Sequence, residues 1–382
     1  MHIRRLFSVV ALLLASVVGT AGASEPRTGA TNLACAMQVV SSWTTIELAN
    51  ETIAVPVAAT NIGGMGPAAR AGYGGLLLFG ATAPVSMAAI LATLQRERSG
   101  HYALVVMTDE ECGGVERLKN IVGTFPWAQT MGKNLSAAQI ATIGLRVGRA
   151  LDAAGVNTDL APVLDVDARA VEPGASNPDG LRSFSGVPAV AAADGTAFMK
   201  GLSQAHVLSV VKHFPGLGYA TRNTDFGPAA TKSWAALQMT GLVPFKEAIA
   251  EGASAVMMSN AHTPGLSPLP ASISPDAVKV LRQMLGFQGL IVTDSLSAGA
   301  IGVLHLAEPA ASVQALAAGA DLILFGSPTS VSASLTLAAK ISNAIVVAVT
   351  TGALSRLTLV GAASQVLAAR NTLSCPLTTT TT

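Results

Sequence analysis

Charged and polar side chains follow five apolar runs of this sequence, each at the point where the run ends. They are Asp109, Asp165, Lys212 with His213, Asn260 with His262, and Asp294. Carboxylates, an ammonium group and imidazoles can bind polar ligands through charge-assisted hydrogen bonds, and an oriented carboxylate can act as a nucleophile. A lone Asp could instead cap a loop or pair with a cation. Five such positions, in a chain with 12% charged residues, favour one shared site.

Eight short apolar runs must hold these groups, and we predict that they are β-strands. They are Ile53–Ala59, Gly75–Phe79, Ala103–Thr108, Thr158–Val163, Val207–Lys212, Ala255–Met258, Leu290–Thr293 and Asp321–Phe325. Helical patterns lie between them, including Ala137–Ala154, Pro188–Gln204, Trp234–Glu251, Pro275–Leu285 and Ala307–Ala318. Strand-helix alternation implies parallel pairing through right-handed crossovers, and eight units over roughly 300 residues indicate an α/β fold, a (β/α)8 barrel of the TIM type. Polar residues at the carboxyl ends of its strands would converge on one mouth.

A doubly wound open sheet is the alternative to the barrel. No GxGxxG or Walker-type loop follows an early strand to support it. The chain also has no internal repeat and no linker rich in Pro, Gly or Ser that would divide it. We therefore expect a single domain.

The composition limits the class of protein. The 382 residues are 50% hydrophobic and carry a net charge of +1. This excludes a disordered chain and gives no basic surface for nucleic acid. Apolar residues are spread along the whole chain, which is typical of a sheet buried on both faces.

Residues 1–23 have the pattern of an export signal. A basic start precedes the apolar core Leu6–Val18, and Ala21-Gly22-Ala23 supplies a small-residue cleavage site. We expect a protein that is secreted or lies in the periplasm or cell envelope, with no membrane span in the mature chain, because the apolar core is too short to cross a bilayer stably. A retained membrane anchor or a misassigned start is the alternative. We assign 24–375 to the barrel domain and expect the Thr-rich residues 376–382 to be disordered.

Three cysteines suggest one disulfide and one free thiol if the chain is exported. Cys35 and Cys375 bracket the predicted domain, whereas Cys112 lies inside a motif described below. We predict a bridge between Cys35 and Cys375, with Cys112 free.

The segment Lys212–Gly218 carries a resemblance to a known family. It resembles the Lys-His-Phe-Pro-Gly-His-Gly signature of the β-N-acetylglucosaminidases in glycoside hydrolase family 3, with Leu217 in place of the second His. Ala161–Val166 and Arg182-Ser183-Phe184 are similar to two further segments of the same family. The likeness covers roughly residues 35 to 370 and leaves no room for a second domain, so it points to the small single-domain subgroup.

The segment Gly289–Ser297 resembles the nucleophile strand of this family. By that resemblance Asp294 attacks the anomeric carbon and forms a glycosyl-enzyme. An Asp that closes a buried strand is well placed for this role. The alternative is that Asp294 caps the next helix.

The segment Asp109–Leu118 resembles the family pattern Asp-Gln-Glu-Gly-Gly-Arg-Val-x-Arg-Leu. The resemblance implies that Asp109 accepts hydrogen bonds from sugar hydroxyls and that Arg117 frames the same pocket. Cys112 stands where the first Gly is expected, and Gly114 where the first Arg is expected. The two departures concern the shape of the loop rather than the Asp.

Four further side chains are implied by the same resemblance. Arg182 would reach the sugar, and Lys212 with His213 would hold it on the opposite side. His262 matches an Ala-His that follows a later strand.

The general acid is where this chain departs most from its family. The single-domain enzymes have a loop ending in Asp-Ser-His, whose Asp-His dyad donates the proton; this chain has Asn223-Thr224-Asp225. A carboxylic acid can donate a proton to a leaving oxygen, and a retaining glycosidase needs two carboxylates. Asp225 opposite Asp294 would restore that scheme. Otherwise the acid comes from elsewhere, or the protein binds sugar without cleaving it.

The sequence therefore predicts a secreted retaining glycosidase that removes terminal β-linked N-acetylglucosamine. A bacterial cell-wall fragment is the substrate class that family analogy implies. No metal or other cofactor is expected, because the His residues lack ligand spacing. Another β-hexoside, transfer to phosphate and an inert sugar-binding protein are the alternatives.

Overall fold

A curled parallel sheet is the centre of the fold in the computed structural model, which describes residues 29–99, 102–326 and 330–370. The strands of this sheet, in both chain and spatial order, are β1 (Ala54–Ala58), β2 (Gly75–Phe79), β3 (Val105–Thr108), β4 (Thr158–Asp159), β5 (Leu208–Phe214), β6 (Ala255–Met258) and β7 (Leu290–Thr293). All neighbours are parallel. The segment 321–325 closes the barrel, since Leu322 bridges to Val292 and Ile323 bridges to Ile53. The predicted (β/α)8 barrel is confirmed, and the open sheet is wrong.

Helices connect the strands and form the outer layer. The α-helices are Gly29–Val40, Thr45–Glu51, Gly66–Arg70, Met87–Glu97, Lys119–Val122, Ala128–Asn134, Ala137–Ala153, Pro188–Gln204, Trp234–Met239, Leu242–Ala250, Pro275–Lys279, Gly299–Gly302, Glu308–Ala318, Val331–Thr350 and Arg356–Ala369. The shorter helical turns are Ala59–Met65, Gly180–Arg182, Thr224–Phe226 and Ala271–Ile273, with a π-helical turn at Val280–Met284. The helix predicted over Trp234–Glu251 is two helices. The break lies at Gly241, where a Cβ would meet the carbonyl oxygen of Pro215 at 3.2 Å.

Alternate residues of the strands fill the barrel interior with apolar side chains. These residues are Ala54, Leu77, Val105, Met107, Leu160, Val210, Ala255, Met257, Leu290, Val292, Leu322 and Leu324. Val366, from the helix Arg356–Ala369, belongs to the same cluster. The intervening strand residues pack outward against the helices. The barrel is thus a packed core, with polar groups left for its carboxyl-terminal mouth.

A small hairpin follows β3 and was not predicted. Its strands are Glu110–Cys112 and Val115–Glu116, and Cys112 at its turn has φ 75. This left-handed conformation favours glycine, which is the family residue at that position. A Cβ on Gly114 would lie 2.5 Å from the Trp127 ring, so the indole occupies the space where a larger side chain would begin. Both departures from the family pattern therefore lie in this one turn.

The helix Val331–Thr350 is the one helix of the described residues that is long and apolar enough to cross a membrane. It packs against Glu308–Ala318 and Thr45–Glu51, and Ser342 Oγ donates to Asn50 Oδ1 at 2.5 Å. These are the contacts of an outer barrel helix.

The proposed export signal, the Thr-rich end and Cys375 lie outside the described residues. The domain limits 24–375 and the bridge from Cys35 therefore stay predictions. Cys112 is a buried free thiol.

Candidate active site

One cavity of about 260 Å³ lies at the carboxyl-terminal mouth of the barrel. Seven residues that we predicted for catalysis or substrate binding line it: Asp109, Arg117, Arg182, Lys212, His213, Asp225 and Asp294. These residues come from the ends of β3, β5 and β7 and from the loops after β3, β4 and β5. The carboxyl ends of parallel barrel strands meet at one face, which is why segments far apart in sequence share this cavity.

A second cavity, of about 470 Å³, lies at the amino-terminal end of the barrel. Its described lining includes Ser203, His206 and Arg370 but no carboxylate. It offers neither a carboxylate nucleophile nor a carboxylic acid, so the smaller cavity is the better candidate for catalysis.

Glu111 lies between two cationic side chains of the mouth, Arg182 and Lys212. Arg182 donates two hydrogen bonds to Glu111, from Nε to Oε2 at 2.7 Å and from Nη2 to Oε1 at 2.8 Å. Lys212 Nζ lies 2.6 Å from Glu111 Oε1 and 2.6 Å from Asp109 Oδ1. Burial opposes the charged form of Glu111, but Arg182 and Lys212 outweigh it and hold the pKa of Glu111 well below its usual range. The group is a fixed anion that orients two cations.

His213 is held by a carboxylate behind it. Asp165 Oδ2 lies 2.7 Å from His213 Nδ1, and Asp165 Oδ1 accepts the backbone N–H of Leu217 at 2.6 Å. His213 Nε2 lies 3.4 Å from Arg182 Nη2. Leu217, at the position of the second family His, is buried in a small apolar cluster. Asp165 therefore orients the His213 ring, and the side chain of Leu217 makes no hydrogen bond to it.

Asp294 is oriented by backbone groups at the end of β7. Its N–H donates to Met258 O at 3.0 Å, and its Oδ1 accepts from Ser295 N at 2.7 Å. Burial raises the pKa of Asp294; His213 opposes the rise, and the charge of Asp225 adds to it. Asp294 and Asp225 also line the same cavity.

Asp225 is exposed and lies on the turn Thr224–Phe226 at the rim of the cavity. Asn223 Oδ1 accepts the backbone N–H of Asp225 at 3.0 Å, so Asn223 caps this turn. The turn also packs on Gly299, where a Cβ would lie 2.8 Å from Asp225 O. Asn223, which stands at the position of the dyad Asp, thus uses its side-chain amide to stabilise the backbone of this loop.

The guanidinium group of Arg117 has an unpaired N–H donor among the described residues. Its Nε lies 3.8 Å from Asp109 Oδ2, too long for a hydrogen bond, and its guanidinium lies over the Phe79 ring at 5.9 Å. Among the described residues, Nε has no hydrogen-bond partner. It could donate to a polar ligand in the cavity.

Asn260 and His262 do not line the cavity, although they follow an apolar run. Asn260 is buried, donates to Ser295 O and accepts from Ser272 Oγ. His262 pairs in the small hairpin of His262–Thr263 with Ser267–Pro270. After β6 the chain turns away from the cavity. The prediction for these two residues was wrong because it rested on their position at a strand end alone.

Two residues of the site, Glu111 and Asn223, were not predicted as such. Glu111 lies within the matched pattern after Asp109, so it carried a sequence signal. Asp165 was grouped with the site because it closes an apolar run; it lies behind His213 rather than in the cavity lining. In the described part of the chain, no group of three or more His, Cys, Asp or Glu side chains has the arrangement to hold a metal.

Comparisons with known proteins agree with this fold. A profile described as "Glycosyl hydrolase family 3 N terminal domain" matches residues 50–369. The beta-hexosaminidase LpqI of Mycobacterium tuberculosis is 34% identical over 238 residues, 59% of each chain. A beta-hexosaminidase of Nitrosomonas eutropha is 31% identical over 66% of this chain and 73% of that protein. A crystal structure of a beta-N-acetylhexosaminidase from Beutenbergia cavernae superimposes with a TM-score of 0.76 and 29% identity, over 86% of this chain and 99% of that one.

Proposed function

Because this chain belongs to glycoside hydrolase family 3, we propose that it is a retaining glycosidase that hydrolyses terminal β-N-acetylglucosaminides. The observation that carries the proposal is one cavity whose four lining carboxylates include Asp294 and Asp225, which come from separate elements, with cationic side chains beside them. A retaining glycosidase uses two carboxyl groups, one as nucleophile and one as acid/base. The names of the relatives, beta-hexosaminidases, support the choice of sugar.

In the first step, the Asp294 carboxylate attacks the anomeric carbon. The bond from that carbon to the leaving oxygen breaks, and Asp225 gives its proton to that oxygen. In the second step, Asp225 takes a proton from water while the water oxygen attacks the anomeric carbon and releases Asp294. The Ser295 N–H, 2.7 Å from Asp294 Oδ1, supports the carboxylate orientation that attack requires.

The remaining side chains of the cavity would bind the sugar hydroxyls. The acceptor is Asp109 and the donors are Arg117, Arg182, Lys212 and His213. Charge-assisted hydrogen bonds of this kind are strong and directional. Glu111 would keep the ammonium and guanidinium groups in place rather than touch the sugar.

The substrate and the location follow from the sequence. The partner we propose is a carbohydrate, with a bacterial cell-wall fragment as the class that family analogy suggests. The export-signal pattern of residues 1–23 would carry the protein out of the cytoplasm. Cell-wall fragments occur outside the cytoplasm. Oligomeric state is not part of the proposal.

A sugar-binding protein without turnover is the second candidate. It is favoured by one observation: the Asn223 side chain, at the position of the dyad Asp, accepts the backbone N–H of Asp225 and caps the turn. Another β-hexoside, or phosphate as the acceptor, would use the same cavity.

The first prediction tests the nucleophile. Wild-type protein should cleave an aryl β-N-acetylglucosaminide, and Asp294→Ala should lower kcat by several orders of magnitude because the covalent step is lost. The measurement is aryl release in steady state. A matched control is Asp152→Ala, an exposed carboxylate on the outer helix Ala137–Ala153, which should leave kcat unchanged.

A fluorinated sugar that traps the glycosyl-enzyme should label the peptide containing Asp294. Labelling of another carboxylate, with Asp294→Ala still active, would sink the assignment. Running the assay with an aryl β-glucoside, and with added phosphate, separates the other sugars and the phosphate acceptor. Binding of N-acetylglucosamine without any cleavage would establish the second candidate instead.

A further inference from the structure

An exposed aromatic ring lies beside the proposed proton donor. Phe226 ends the turn that carries Asp225, and 63% of its surface is exposed. A single exposed apolar side chain needs no explanation on its own. Its position is informative, because Thr224 and Asp225 line the cavity while Phe226 lies outside that lining.

Hydrogen bonds and packing fix where the backbone of Phe226 lies. Asn223 N donates to Ala175 O at 3.0 Å, and Phe226 N donates to Asn223 O at 3.2 Å. A Cβ on Gly299 would lie 3.0 Å from the carbonyl carbon of Phe226. The turn is thus tied to the loop after β4 on one side and rests on the helix Gly299–Gly302 on the other. Phe226 is held at the rim.

The volume of the cavity indicates which part of a longer substrate lies at its rim. Its volume of about 260 Å³ is below the range of about 300–1,000 Å³ that encloses drug-sized ligands. Room for one sugar leaves the rest of a longer substrate outside. A proton donor must lie within hydrogen-bond reach of the leaving oxygen. The group attached to that oxygen therefore begins beside Asp225, and so beside Phe226.

We propose that Phe226 is the platform of an aglycone subsite that takes a second pyranose ring. The inference rests on the proposed function. The C–H face of a pyranose is apolar and packs on an aromatic face, while its hydroxyls stay in water. Phe226 then sets which leaving groups are preferred and does not take part in bond cleavage.

Binding without turnover provides the test. In the Asp294→Asn background, calorimetry compares N-acetylglucosamine with its β-1,4-linked disaccharide. Adding Phe226→Ala should weaken disaccharide binding about three- to tenfold, which corresponds to a typical aromatic contact, and leave monosaccharide binding unchanged. Phe226→Tyr should keep wild-type affinity for both. Leu357→Ala, which removes an exposed apolar side chain from an outer helix, is the control and should change neither.

A kinetic readout on protein with Asp294 intact separates the subsite from a structural role. Phe226→Ala should lower kcat/KM for the disaccharide about three- to tenfold while kcat/KM for methyl β-N-acetylglucosaminide is kept. Unchanged disaccharide affinity in Phe226→Ala would overturn this inference and leave the proposed function standing. Equal losses for both sugars would also overturn it. Wild-type protein that binds neither sugar would overturn the proposed function and the subsite together.

Discussion

At the scale of single residues, the two proposed catalytic carboxylates have different surroundings. Asp294 is held by backbone groups at a strand end, and burial raises its pKa. Asp225 is exposed on a turn whose cap is Asn223. The nucleophile is thus positioned by the barrel itself, whereas the acid/base is positioned by a loop.

The second prediction concerns Asp225. Asp225→Asn should reduce cleavage of a disaccharide by about 10²–10⁴-fold, because its poor leaving group needs the proton. A dinitrophenyl glycoside should retain far more activity, and azide should partly rescue the variant by attacking the glycosyl-enzyme without a general base. The measurement is kcat/KM for both substrates with and without azide. Equal slowing of both substrates, or of neither, would exclude Asp225 as the acid.

The same variant should change the pH dependence. The active form of Asp294 is the carboxylate, and its raised pKa means that activity is lost on acidification at a higher pH than for an ordinary Asp. The charge of Asp225 contributes to that rise, so Asp225→Asn should move the acid limb of kcat/KM to lower pH. The profile is measured with the dinitrophenyl substrate. An acid limb that does not move would argue against coupling between the two groups.

At the scale of elements, the hairpin after β3 helps to position two carboxylates of the mouth. Asp109 precedes it and Glu111 lies within it, while Trp127 packs on its turn at Gly113 and Gly114. The indole has taken the space that an Arg side chain would enter at position 114. Gly114 and Trp127 are therefore linked by packing.

The third prediction tests that link. Gly114→Arg should lower the free energy of unfolding by about 1–3 kcal/mol through overpacking against Trp127, and should lower kcat/KM by shifting the carboxylates. Adding Trp127→Ala should restore part of both losses. Thermal or denaturant unfolding and kcat/KM are measured on each variant. Gly302→Arg, where nothing lies within 4 Å of the added Cβ, is the matched control. Simple additivity in the double variant would contradict the link.

At the scale of the whole molecule, the two ends of the barrel have different roles. The carboxyl-terminal end is the open, polar mouth. The amino-terminal end contains Glu51 between Arg98 and Arg370, at 2.7 and 2.5 Å, with all three side chains 1% exposed. Arg370 also donates to Gly74 O, just before β2. This buried cluster ties the last described helix to the bottom of the barrel.

The fourth prediction follows from this cluster. Glu51→Gln should lower the free energy of unfolding by about 3–5 kcal/mol, because two buried guanidinium groups lose their counter-charge. Activity per folded molecule should be kept, since the cluster is at the end opposite the mouth. Chemical unfolding gives the first quantity and active-site titration the second. Glu97→Gln, which breaks the exposed pair with Arg70, should cost about 0–1 kcal/mol. Equal effects of the two substitutions would refute the role of burial.

The sequence alone determined the barrel and most of the site. Apolar runs with polar ends are local patterns, and parallel topology brings their carboxyl ends to one face. Asp109, Lys212 and Asp294 could therefore be assigned from their positions at the ends of apolar runs. The resemblance supplied Arg117 and Arg182 from motif matches, and it supplied Asp225 from the position where this chain departs from the family motif.

Only the tertiary structure decided how these groups interact. Glu111 meets Arg182 across 71 positions of the chain, and Lys212 meets Asp109 across 103. No local pattern reports such pairs, because they depend on how strands and loops pack in space. Packing likewise sent Asn260 and His262 away from the cavity. It also gave Asn223 the role of a turn cap and left Phe226 exposed beside the mouth.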